Sequence, residues 1–154
     1  MTETARRVLI VANRTAATDK LLEAVRQRAQ AGPATFHLLL PSTPRGLHRV
    51  VDPEDAGREE AEAQLELALE HLREATGAEV SGHVGDADPM AAISDTLHHQ
   101  EVDEIIISTL PRRLSRWMRL DLPSKVRGMG KPVTHVEAVR APGPDRVAPG
   151  DRAA

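Results

Sequence analysis

Four arginines crowd one short stretch of the chain, Arg112, Arg113, Arg116 and Arg119, and Lys125, Arg127 and Lys131 follow them with Asp121 as the only acid between. Guanidinium forks match the paired oxygens of phosphates and carboxylates, so this is anion-binding chemistry. Immediately upstream the apolar run Ile105, Ile106, Ile107 gives way to two hydroxyls, Ser108 and Thr109. An apolar strand that breaks into a polar loop and then a helix start, here Leu122-Pro123, marks the ligand-binding edge of an open α/β sheet. The loop contains no glycine between Ser108 and Arg127, and Pro111 offers no N–H. A backbone phosphate cradle, which needs both, is therefore not built in the usual way. The same arginines would equally serve as a solvated face, or as partners for an acidic helix of this or another subunit.

Other chemistry is sparse. The seven histidines have no metal-site spacing: His98 and His99 are adjacent, no H-E-x-x-H occurs, and His37 and His135 read as hydrogen-bonded strand residues. There is no G-x-S-x-G elbow and no Ser/His/Asp set, and the carboxylate pairs fall on exposed helix faces or at caps such as Asp86 and Asp88. We expect no metal, no catalytic residues and no enzyme. The absence of cysteine excludes disulfides and thiolate chemistry. Aromatics make up 1% of the chain and the net charge is −3, which argues against stacking platforms or a basic footprint for nucleic acid. The first apolar run, Val8 to Ala12, is too short for a leader or a membrane span, and a cytoplasmic protein with no membrane partner is expected.

These residues must be positioned by a regular alternation of elements. At 154 residues, 40% hydrophobic and 28% charged, the chain suits one globular domain. Val8–Ala12 is continuously apolar and reads as a strand buried on both faces, and Thr35–Leu40, a near-continuous apolar run, reads as the second strand. Between them a helix runs from Asp19 to Gln30, with Thr18 as N-cap and Leu21, Leu22, Val25 and Ala29 as its stripe. After a proline-broken connection from Pro41 to Asp55, a long helix spans Glu54 to Thr76. Its inner stripe includes Leu65, Leu69 and Leu72, and glutamates cover its outer face. A third strand, Ala78–Val84, is less apolar and suits a place near an edge. A third helix follows with Asp88 as N-cap and Pro89 at its first position. The basic loop interleaves Leu114, Trp117, Met118 and Leu120 with its arginines. Such a segment reads as a lid folded onto the sheet edge or as a docking surface for a membrane or protein. A short helix, Leu122 to Met129, and a last strand, Val133–Val139, complete the order β-α-β-α-β-α-β-α-β. That order predicts an α/β three-layer sandwich around a five-stranded, mainly parallel sheet. Residues 1–139 form the expected domain, and the Pro/Gly-rich segment 140–154 reads as a disordered tail.

Several of these residues resemble the universal stress proteins, a branch of the Rossmann-like adenine nucleotide α-hydrolase-like sheets. The turn Asn13, Arg14, Thr15 is similar to that family's Asp-Gly-Ser-type turn, and Gly85 to Pro89 to its Gly-Asp-Pro-like entry into the third helix. The ATP-binding members carry G-2x-G-9x-G-[ST] after strand four. Here Ser108, Pro111 and the pair Asp121-Leu122 occupy those positions with nine residues, Arg112 to Leu120, in the long gap, and Pro132-Val133 stands where the family has Pro-Val. The resemblance covers roughly residues 6 to 139. It implies the strand order 3-2-1-4-5 and a non-enzymatic role in stress response or regulation. It also implies a homodimer through the last strand, Val133 to Val139, whose mixed polarity suits an edge. The pocket it implies would be lined by Ala12, Asn13, Thr15, Leu40, Ser108, Thr109, Arg112, Arg113, Leu122 and Ser124. Asn13, Pro111 and Asp121 each oppose ATP bound in the family manner. Asp121 would instead cap the helix that follows. No cofactor is therefore expected. An altered adenine nucleotide, ATP or cyclic AMP, held by the arginine-rich loop stays open, as does a protein partner at Trp117 and Arg116.

Overall fold

The continuous apolar runs become the centre of the sheet. In the computed structural model of the chain, residues 4–12, 16, 18–41, 53–111 and 115–137 are described, with 53–58, 60 and 116 described by backbone alone. Strands β1 (Arg6–Val11), β2 (Ala34–Pro41) and β4 (Glu104–Thr109) lie side by side, flanked by β3 (Val80–Gly85) and β5 (Val133–Glu137) in the order β3-β2-β1-β4-β5. All four pairings are parallel. A central strand covered on both faces has no solvated side, which is why β1 and β4 show no polar alternation. The two edge strands carry the mixed sequences, as expected for β3 and β5.

Two aliphatic cores result, one on each face. Val8, Ile10, Phe36, Leu38 and Ile106 pack against Leu21 and Val25 of α1 (Asp19–Ala31) and Leu65, Leu69 and Leu72 of α2 (Pro53–Thr76). Leu9, Val11, Leu39, Ile105 and Ile107 face the other way. They meet Ile93 of α3 (Pro89–His99), Trp117 of α4 (Arg116–Arg119), and Leu122 and Val126 of α5 (Leu122–Arg127). Each fully buried Leu or Ile in these layers contributes about 1.5–3 kcal/mol of transfer free energy. Gly82 lets α2 approach β3: a Cβ there would sit 2.9 Å from the Leu38 carbonyl oxygen and 2.9 Å from a Leu65 methyl. Gly77, at φ +63°, closes α2 in the left-handed conformation that glycine adopts without steric cost.

Boundaries differ from expectation where side chains outside the pattern intervene. The third strand begins at Val80 rather than Ala78, because the Ala78 N–H donates to Thr76 Oγ1 (3.0 Å) and turns the chain there. The helix expected to reach Met129 ends at Arg127, followed by a turn through Gly130 at φ +91°. Asp88 caps α3 as expected, accepting from Met90 N–H at 3.0 Å with Pro89 next in line. Thr18 occupies the N-cap position of α1 with an extended backbone but makes no side-chain capping bond. Asp121 departs furthest. It precedes α5 in the left-handed region (φ 56°, ψ 44°) and makes no side-chain capping bond, so the expected cap is not formed. The connection at 42–52, the tail 140–154 and the last two residues of the expected final strand, 138 and 139, lie outside the described residues.

Candidate functional site

The switch point of the sheet lies between β1 and β4, from which the strand order runs outward in both directions. The register aligns Leu39, Val11 and Ile107 across β2, β1 and β4. One residue further along, at the carboxyl edge, stand Leu40, Ala12 and Ser108. All three are buried, with exposures of 1%, 0% and 0%. The structure thus brings three of the expected pocket residues into one row across the three central strands. Ala12 N–H donates to the Leu39 carbonyl (3.2 Å), carrying the ladder one step past β1.

Thr109 follows on the opposite face and is also buried. Its hydroxyl lies 2.8 Å from His135 Nε2 on β5. Burial lowers the His135 pKa, Glu137 opposes that shift and Arg127 adds to it, so the imidazole is disposed to be neutral. A neutral imidazole beside a hydroxyl can donate to it or accept from it, and it fixes the orientation of Thr109 either way. His135 is the residue that sequence reasoning left out of the site. Its strand placement was foreseen, but its contact spans 26 positions and follows only from the register Ile107↔His135, Thr109↔Glu137.

The remaining expected residues separate. Leu122 is a core residue at 1% exposure, packed with Trp117 and Val126. Ser124 is exposed on α5, and its carbonyl accepts from Gly128 N–H. Asn13, Thr15, Arg112 and Arg113 lie outside the described residues, as do Arg14 and Leu114. Pro111 is half-buried two residues after the end of β4 and has no N–H to offer. Asp121 holds the left-handed backbone that a glycine would supply at the same motif position. It is the only non-glycine with positive φ among the described residues.

The apolar side of the basic loop does fold inward. Trp117 is buried at 7% exposure and joins the α3–α5 core, and the Met118 N–H bonds Ser115 Oγ (3.2 Å). Leu120, at 46%, stays outside. Among the described residues no group of three or more His, Cys, Asp or Glu is placed to hold a metal. No helix among them is long and apolar enough to cross a membrane.

No family model matches the sequence, and no curated protein does either. Solved structures do. A universal stress protein from Archaeoglobus fulgidus superposes with a TM-score of 0.59 at 19% identity, covering 86% of this chain and 93% of that one. The fold is that of the universal stress proteins. A universal stress protein in complex with cAMP gives a TM-score of 0.57 at 18% identity, over 86% of this chain and 97% of its own. A hypothetical protein gives 0.63 at 19% identity, over 88% and 99%. The five-stranded order is thus a feature of the universal stress protein fold, present here without close sequence likeness.

Proposed function

We propose that this chain is a divergent universal stress protein. In this reading it is a non-enzymatic, cytoplasmic regulatory protein whose crevice no longer holds ATP in the family manner. The observation that carries this is Pro111. At the second glycine position of the motif it removes an N–H that a phosphate would need. Asp121 adds a carboxylate before α5, where an anion would meet a helix start. Titration of the full chain with ATP, ADP, AMP and cyclic AMP, followed by melting temperature and Trp117 fluorescence, tests the reading. No shift at millimolar ATP is expected, whereas a rise of several degrees would overturn it.

A second reading, an adenine-nucleotide sensor, is favoured by the left-handed backbone of Asp121 and by the cAMP complex of one structural neighbour. The loop geometry at that position matches what a glycine would adopt, although the side chain has changed. Arg112 and Arg113 would then supply phosphate contacts from side chains. Selective stabilisation by cyclic AMP over ATP in the same titration would establish it. A third reading is a protein-interaction module at the basic loop. The burial of Trp117 leaves only Leu120 as a large exposed apolar side chain among the described loop residues.

We further propose homodimerisation through β5. Its inner edge pairs with β4, while its outer edge has no strand beside it in the five-stranded order. Val133, His135 and Val136 are half-buried in the single chain, which suits closure by a second copy. Light scattering on a size-exclusion column at micromolar concentration should give twice the chain mass. A clean monomer would sink the assignment.

A further inference from the structure

On the α3 side of the sheet, β2 and β3 place two imidazoles against each other. His37 Nε2 and His83 Nδ1 are 2.6 Å apart, with ring centroids 4.9 Å apart and planes tilted by 40°. The other ring nitrogen of His37, Nδ1, lies 2.8 Å from Ser81 Oγ. Ser81 is the residue opposite His37 in the β2–β3 register, and His83 stands two residues further along the same face. A hollow of about 210 Å³ opens beside His37 and Ser81, lined also by Thr35, Glu79, Arg7 and Glu101 among others, while His83 lies outside its lining. Ser81 is exposed and both histidines are half-buried, so solvent reaches the site while the rings stay ordered.

We propose that His37 Nε2 and His83 Nδ1 form a two-nitrogen chelate for a late first-row divalent ion of tetragonal N/O preference, Cu2+ ahead of Ni2+. Three features carry it. Two cis ligands at the usual ~2.0–2.1 Å metal–nitrogen distance lie ~2.9 Å apart, so the nitrogens need separate by only ~0.3 Å with a swing of the His83 ring. Tetrahedral zinc would require ~3.3 Å and four donors, which makes this site a poor structural zinc centre. Next, Ser81 supplies the hydrogen bond to the far nitrogen that orients a ligating histidine and sets its tautomer. Finally, Glu79 and Glu101 border the hollow, and the Arg7 guanidinium there is already matched by Glu101 (2.7 Å) and Asp103 (3.6 Å). A cation therefore enters a field that opposes it little.

The proton balance is simple. A 2.6 Å N···N contact holds one proton between two neutral rings. When the ion takes its place, that proton moves to the far nitrogen of the same ring, and no net proton need leave the protein. Burial and the neighbouring His83 lower the His37 pKa to about 4, and burial lowers that of His83. Both rings are therefore available as neutral ligands at pH 7. Water from solvent fills the remaining positions.

The test is a titration of the metal-free full chain with Cu2+ at pH 7 by calorimetry and electron paramagnetic resonance. One ion per chain should bind, with a spectrum showing two nitrogen donors. His83→Ala should weaken binding by at least tenfold, and Ser81→Ala by about 10–100-fold through loss of ring orientation. His98→Ala, on the end of α3, should leave affinity unchanged. His83 lies on an edge strand, half-buried, and circular dichroism will show that its variant folds; His83→Gln provides a second variant of closer size. Equal affinity in wild type and both His83 variants, or no saturable binding below millimolar Cu2+, would overturn the proposal. This site shares no residue with the crevice, so neither outcome depends on whether a nucleotide binds there.

Discussion

The two ends of the sheet are built on different principles. At the amino edge the strands are held together by charge. Glu104, at the start of β4, accepts from Arg28 of α1 at 2.5 Å and from Arg6 of β1 at 3.1 Å, and all three side chains bridge separate elements. Beside them Asp103 accepts from the Arg7 backbone N–H at 2.8 Å. At the carboxyl edge no described ion pair crosses the crevice. There the strands end in small buried residues, Ala12, Ser108 and Thr109, over an aliphatic floor. An edge closed by its own ion pairs has committed its polar groups to stability, whereas the carboxyl edge ends in small side chains over packed hydrocarbon. The same sheet thus separates fastening from potential binding by one strand length.

The largest expected effect tests the carboxyl edge. Trp117→Ala empties a buried position shared by α4 and the sheet, and should cost about 3–5 kcal/mol in urea unfolding. A loss under about 1 kcal/mol would show α4 to be a detachable lid rather than part of the core. At the amino edge, Glu104→Gln should cost about 1–3 kcal/mol, since it leaves the partly buried Arg28 short of its counter-charge. Burial alone would raise the Glu104 pKa, but hydrogen bonds from Arg28 and Arg6 overcome it and hold the carboxyl below its ordinary 4.5. A depressed folded pKa means that the stabilisation is complete above 4.5 and is lost as pH falls through the folded value. Wild-type unfolding free energy should therefore drop through that acid window, and the Gln variant should drop less.

Smaller effects sharpen the contrast. Asp121→Gly should change stability by less than about 1 kcal/mol, because relief at positive φ is offset by a freer unfolded chain. Asp121→Val, with a branched Cβ in the left-handed region, should lose about 1–2 kcal/mol by thermal melting. Equal melting of the two variants would mean that the loop relaxes out of that conformation. Smallest is Arg7→Ala: its bridges to Glu101 and Asp103 join side chains that are 34–78% exposed, and the change should stay within about 0.5 kcal/mol and vanish in high salt.

Much of the architecture was legible because it depends on burial patterns that a chain carries locally. Continuous runs such as Ile105 to Ile107 suit central strands, and the Asp88-Pro89 pair suits a helix start. The placement of three expected pocket residues was legible as well. Ser108, Ala12 and Leu40 converge as expected, since each directly follows an apolar run and parallel strands end together. Leu122 does not join them, because a position that matches a motif by spacing can still be claimed by the core.

The amino-acid sequence by itself determined the succession of elements, the aliphatic character of both cores and the absence of donor glycines around Pro111. Composition and short-range pattern act on the chain without reference to distant partners. Only the tertiary structure decided that Asp121 keeps a left-handed backbone without capping α5, that His135 steadies Thr109, and that His37 meets His83. Each is a contact or conformation imposed by strand register and packing over tens of residues. No local propensity encodes a side chain on the neighbouring strand.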